Sequence, residues 1–231
     1  MSVTPDTELD EPPEPVPAHG NTRVRNAAIL VTAVAVVLGA IALLTSGNDP
    51  SATEWAGRVL PEPEDKPAIA LADTDGNPFD LRADTDGRLT LLMFGYANCP
   101  DVCPISLGTL QSALEELDPA VANNVEMVFV TADPERDTAA ELRDYLDGYN
   151  RDFVGLWGTT DEIDEAQRLA NVPPAVRETP DEDGNYTVGH ASQIIAYQDD
   201  GIARIVYPFG TRQQDWVRDL PRLVAGEQPA A

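Results

Sequence analysis

The chain has 231 residues and a formal net charge of −25, with 40 acidic residues set against 15 basic ones. A surface so acidic repels nucleic-acid phosphates and offers no polybasic membrane patch, which argues against DNA or RNA as a partner. Only one basic residue, Lys66, is a lysine, a composition that fits either a salty habitat or an ordinary acidic exported domain.

Residues 1–26 open with a proline- and acid-rich stretch without apolar periodicity and are read as a disordered cytoplasmic tail. Ala27 to Leu44 then runs for eighteen residues without a charge, and as a helix it would span ~27 Å, about the thickness of a bilayer core. A single transmembrane anchor is therefore expected at 27–45. Arg23 and Arg25 place its N-terminal side in the cytoplasm and the rest of the chain outside, at the cell membrane. A cleaved signal peptide is the competing reading, but its small-residue pattern, Ala40-Ile41-Ala42, lies inside the apolar run instead of after it. A polar linker is expected at 46–66, one folded domain at 67–225 and a flexible C-terminus at 226–231.

Within the domain, Ala68 to Leu71 and Phe79 to Leu81 flank Asp-Thr-Asp-Gly-Asn-Pro and predict a hairpin. Strand Leu89 to Phe94, helix Ile105 to Leu117, strand Val125 to Thr131, helix Thr138 to Tyr149, strand Phe153 to Trp157 and helix Thr160 to Asn171 follow. Strands alternating with helices imply a largely parallel sheet covered by helices. Tyr186 to Tyr197 and Ile202 to Tyr207, joined by Asp199-Asp200-Gly201, predict a late antiparallel hairpin, and a helix from Arg212 to Val224 closes an α/β sandwich with a mixed sheet. The two cysteines, Cys99 and Cys103, fall where the apolar strand meets the first helix. Residues four apart on a helix share a face, and amides at a helix start favour thiolate over thiol. Such a pair can converge on one ion, close a disulfide, or be an inert buried pair.

Three further segments accompany Cys99-Pro-Asp-Val-Cys103-Pro: Asp133-Pro-Glu-Arg-Asp-Thr138, Val154-Gly-Leu-Trp-Gly-Thr159 and Asn185-Tyr-Thr-Val-Gly-His190. In this order and at these separations the chain resembles the Sco/SenC family of membrane-anchored, thioredoxin-like copper proteins, over about Pro67 to Val224. The resemblance implies a thioredoxin-like fold and a site of Cys99, Cys103 and His190 that binds one Cu(I) or Cu(II) per chain. It also implies a metallochaperone that delivers copper to the dinuclear CuA centre of cytochrome c oxidase, or maintains that centre's thiols. The expected partners are the oxidase subunit bearing CuA, an extracytoplasmic copper donor and a thiol reductant. The Asp133 to Thr138 loop matches the family's DPxRDT and is read as structural or partner-facing. Many members carry Asp immediately before the histidine; here that position is Gly189.

The donor types agree with this reading on their own chemistry, since two thiolates and an imidazole suit Cu(I) and Cu(II), and the motif has no fourth protein ligand for a closed zinc site. The alternative is an extracytoplasmic thiol-disulfide oxidoreductase whose redox-active pair is Cys99 and Cys103, without an obligatory metal. A three-residue gap in place of CxxC, together with His190, weighs against it. A peroxidase of the peroxiredoxin type would need an aliphatic hydroxyl where the phenol of Tyr96 stands. The DEDG stretch at Asp181 to Gly184 lacks the spacing of a calcium loop and predicts a solvated turn. Phe94, Tyr96 and Trp157 are expected in the core, with Tyr96 placed to shield one side of the site.

Overall fold

The computed structural model describes residues 54–229. The tail at 1–26, the anchor at 27–45 and the first part of the linker lie outside those residues. Among the described residues no helix is long and apolar enough to cross a membrane. Two short strands, β2 (Ala70–Asp73) and β3 (Pro78–Asp80), form the predicted hairpin. Then come β4 (Leu89–Gly95), α1 (Val102–Glu116), α2 (Pro119–Ala122), β5 (Val125–Thr131), α3 (Ala139–Asp147), β6 (Val154–Trp157) and α4 (Thr160–Leu169). A two-stranded ribbon of β7 (Val176–Arg177) and β8 (Val188–Gly189) precedes β9 (Ile194–Tyr197), β10 (Ile202–Tyr207) and α5 (Gln213–Val224).

One eight-stranded mixed sheet runs in the order β1-β10-β9-β4-β5-β6-β2-β3, where β1 is Arg58–Asp65. Strands β4, β5 and β6 are parallel, whereas β9 pairs antiparallel to β4 and β10 to β9. Every residue of β4 and of β5 is buried, as expected of central strands covered on both faces. Side-chain alternation divides them between two cores. Leu89, Leu91 and Met93 pack with Leu107, Leu110, Trp216 and Leu220 beneath α1 and α5, while Leu92 and Phe94 pack with Ile69, Leu81, Ile163 and Ala166 on the opposite face. Thr138 and Thr159 open α3 and α4 with capping boxes to Glu141 and Glu162, which satisfies amides that a helix start leaves unpaired.

The folded unit begins earlier than Pro67. Arg58–Asp65, inside the expected linker, is an antiparallel edge strand on β10. Pro61, Pro63 and three acids make this stretch resemble a spacer, but an edge strand tolerates proline because half of its amides face away from the ladder. Its register is interrupted between Val59 and Glu64. Lys66 at its end is only 4% exposed. Its ammonium donates to the Thr85 carbonyl at 3.1 Å, the Thr85 hydroxyl at 2.8 Å and the Thr90 hydroxyl at 3.0 Å. At the other terminus, Glu227 falls within the stretch expected to be flexible, yet its carbonyl accepts from the Gln198 amide at 3.0 Å and its carboxylate from Arg222 Nε at 3.0 Å.

Two further boundaries differ in ways that bear on the site. Helix α1 starts at Val102, three residues before Ile105, because the Asp101 carboxylate accepts from the Val102 amide; Cys103 therefore lies in the first helical turn. The expected strand from Tyr186 to Tyr197 is broken into β8 and β9, with His190 in the gap.

Candidate metal centre

Strand β4 delivers the chain to a tight turn in which the Cys99 amide donates to the Tyr96 carbonyl at 3.1 Å. Helix α1 follows at once, so its positive end faces the first sulfur. The Cys103 amide lies 3.4 Å from Cys99 Sγ. Both cysteines are free thiols, Cys99 8% and Cys103 0% exposed.

His190 arrives from the other side of the fold. Gly189 pairs with Val176 in the small ribbon, and the Val188 amide donates to the Tyr96 hydroxyl at 3.3 Å. The chain thus leaves the main ladder before His190 and rejoins it at Ile194, which pairs with Met93. The His190 Nδ1 faces the Ala191 carbonyl at 3.0 Å, so in the neutral imidazole Nδ1 carries the hydrogen and Nε2 presents its lone pair. That Nε2 stands 3.6 Å from Cys103 Sγ and 3.9 Å from Cys99 Sγ. All three ligand-type atoms lie within 4.8 Å of one another, and among the described residues no other His, Cys, Asp or Glu joins the group. The three residues singled out in the sequence are therefore brought together from two separate segments.

Tyr96 does more than fill the core. Its ring meets the imidazole edge-on, with centroids 5.5 Å apart and planes at 88°, while its hydroxyl holds the strand that precedes the histidine. Phe94 lies on the opposite face of the sheet, and Trp157 donates its indole N–H to the Asp73 carbonyl at 3.0 Å. The Asp181 turn is built as expected, its carboxylate accepting from the amides of Asp183 and Asn185 at 3.0 and 2.8 Å. Tyr186, which the sequence did not single out, proves central to the ribbon: its ring lies between the guanidinium groups of Arg136 and Arg177, at 3.6 and 4.5 Å. Arg136 is fifty positions away in the chain, so no local pattern announced that contact.

The two sulfurs are electrostatically unlike. The hydrogen bond from Cys103 pulls Cys99 down to about 3 against the cost of burial, with help from His190 and from the amides of Cys103 and Asp101. Cys103 is pushed upward by the same hydrogen bond, by burial and by the Cys99 charge. Burial opposes the imidazolium of His190, yet the hydrogen bonds to Cys99 and to the Ala191 carbonyl raise it overall. A metal ion arriving here displaces the remaining protons, so its uptake is linked to pH. In the reduced, metal-free protein Cys99 should be the thiol that reacts. Free cysteine loses thiolate below about pH 8.5, whereas iodoacetamide should still alkylate Cys99 at pH 5 and leave Cys103 unlabelled until the fold opens. Peptide mass spectrometry after a timed pulse measures this, and equal labelling of the two would contradict the assigned asymmetry.

Two sulfurs and one nitrogen form a soft, incomplete donor set, suited to copper and short of the four ligands of a closed structural zinc site. Fold and site together define a thioredoxin-like domain with a dithiol–imidazole cluster that could hold a metal ion. The chain belongs to the SCO1/SenC family, whose model matches residues 62–225. It is 28% identical over 205 residues to a putative copper-binding protein of Stutzerimonas stutzeri, covering 87% of this chain and 96% of that one. Among solved structures it is similar to apo Sco1 of Thermus thermophilus, with a TM-score of 0.65 at 30% identity over 74% of this chain and 98% of the other. It is also similar to ScoI of Bradyrhizobium japonicum with copper bound, with a TM-score of 0.60 at 33% identity over 69% and 99%.

Proposed function

We propose that Cys99, Cys103 and His190 bind one copper ion, and that the protein delivers copper to the CuA site of cytochrome c oxidase or keeps that site's thiols reduced. One observation carries this reading: three soft or borderline donors from two distant segments converge within 4.8 Å at the end of a sheet. The copper-bound relative supports it. An open coordination shell suits a carrier, because a receiving protein can attack the ion before the donor lets go. The apolar run Ala27 to Leu44 would anchor the domain outside the cytoplasm, where protease added to intact cells should digest it. An oxidoreductase without an obligatory metal is the second reading, favoured by the reactive thiolate at Cys99 beside a protonated partner.

His190→Ala separates the two. It should preserve the fold and the thiol pair while lowering copper affinity ~10-fold or more, since even indirect partners of a ligand cost that much. The Cu(II) form should suffer most, because two thiolates hold Cu(I) almost linearly without the imidazole. A pure oxidoreductase would instead show unchanged cysteine turnover and no copper-dependent spectrum in either protein.

A further inference from the structure

The Asp133–Thr138 loop contributes no ligand atom, yet both halves of the centre are fastened to it. Asp137 is 0% exposed. One of its carboxylate oxygens accepts from the Ala97 amide at 3.0 Å, two residues before Cys99, and from the Thr131 hydroxyl at 2.7 Å, at the end of β5. Its other oxygen is buried with no partner. A buried carboxylate with an unpaired oxygen costs stability, so nothing about packing alone accounts for its choice here. What it does provide is an acceptor reaching the cysteine turn and the central strand at once.

Arg136 faces the other way. Its Nη1 donates to the Tyr186 carbonyl at 3.0 Å, and its Nε pairs with the carboxylate of Asp133. The Tyr186 hydroxyl donates to the other oxygen of Asp133 at 3.0 Å, and Asp133 is itself 2% exposed. Tyr186 thus has its backbone, its ring and its hydroxyl all held by Asp133 and Arg136. From Tyr186 the chain runs through Val188, which Tyr96 holds, to His190.

We propose that Asp133, Arg136 and Asp137 are positioning residues that form a two-armed bracket for the centre. Asp137 fixes the cysteine arm, and Asp133 with Arg136 fixes the histidine arm through Tyr186. The proposal rests on Cys99, Cys103 and His190 being the copper site, and it predicts that the arms fail separately. Loosening the histidine arm should weaken Cu(II), which needs the imidazole, and spare Cu(I) on the dithiol. Loosening the cysteine arm should weaken both.

The test measures Cu(I) affinity by chelator competition, and Cu(II) affinity and absorption spectrum, in wild type and three variants, with the unfolding temperature of each. Arg136→Lys keeps the charge but loses the planar fork that holds Tyr186 and Asp133 together. It should lower Cu(II) affinity ~10-fold or more and shift the Cu(II) bands, with Cu(I) affinity within about twofold of wild type. Asp137→Ala should lower both affinities. Asp137→Asn keeps one acceptor oxygen and should restore most of the loss; together with Arg136→Lys it carries the test if the alanine variant does not fold. Equal losses of Cu(I) and Cu(II) in Arg136→Lys, tracking a lowered unfolding temperature, would mark a merely structural loop and overturn the bracket. So would variants that bind copper like a copper-binding wild type. A wild type that takes up no copper would instead refute the metal reading, and the bracket's role with it.

Discussion

Reduced protein should take up one equivalent of Cu(I), and protein carrying a Cys99–Cys103 disulfide should take up essentially none. The two sulfurs that face His190 are the only sulfurs of cysteine in the chain. Forming the disulfide from the Cys99 thiolate and the Cys103 thiol sends two electrons to an oxidant and the Cys103 proton to solvent, and leaves two neutral sulfurs that donate poorly to a metal. His190 alone is then a single imidazole, too little to hold Cu(I) against a chelator. Mass spectrometry of the two forms after exposure to a Cu(I)–chelator complex reads the stoichiometry directly. Equal uptake would place the copper elsewhere on the protein. In an oxidising compartment this competition would require a reductant that restores the dithiol before each loading.

Gly95→Ala should be among the most damaging single-methyl changes in the domain. A Cβ built on Gly95 would lie 2.7 Å from Cys103 Sγ and 2.6 and 2.7 Å from two ring carbons of Phe129. Both neighbours are fully buried, so either can give way only by displacing the close-packed groups around it. Overpacking of this kind costs about 1–3 kcal/mol. The sulfur is the lighter obstacle and sits in the first turn of α1, so part of the strain should appear as displacement of Cys103 and weaker copper binding. Urea denaturation and Cu(I) competition on the same variant measure the two effects. Gly189→Ala is the internal control, because there the nearest atom to the new Cβ is the Val176 carbonyl oxygen at 3.7 Å, an ordinary contact. Its stability should change by no more than about 0.5 kcal/mol. A stable, fully copper-competent Gly95→Ala would refute the close packing behind the cysteines.

What the sequence made legible was what local pattern encodes. The all-apolar strand from Leu89, the Cys-Pro-Asp-Val-Cys turn, the Asp-Gly hairpins and the amphipathic helices announced themselves through spacing and turn chemistry, and their alternation gave the mixed sheet but not its strand order. The cysteine half of the centre was visible because both residues fall in one short motif where the strand meets the helix, Cys99 in the turn and Cys103 in the first turn of α1. Its histidine half was visible only through resemblance, since a lone His before an apolar strand is locally unremarkable. Other features stayed hidden because their causes are remote. Arg58–Asp65 looks like a linker until β10 is beside it, and the break at His190 depends on the Tyr96 hydroxyl taking the Val188 amide from ninety-two positions away. The double fastening of Asp133–Thr138 likewise spans forty and fifty positions, distances at which periodicity carries no information.

The lysine at the end of β1 gives the folded domain an unusual chemical blankness. Lys66 is the only side-chain amine in the chain, and three oxygens already hold its ammonium inside the protein. Burial also pulls its pKa below the ordinary lysine value, despite the opposing charge of Asp86, so within the fold access limits its reaction with an acylating reagent. Active esters will therefore find no side-chain amine on the domain's surface, and immobilisation or dye coupling through lysine will fail while the fold is intact. Acylation of Lys66 becomes instead a clock for the detachment of the first strand from the sheet edge, readable at a single residue without any engineered probe.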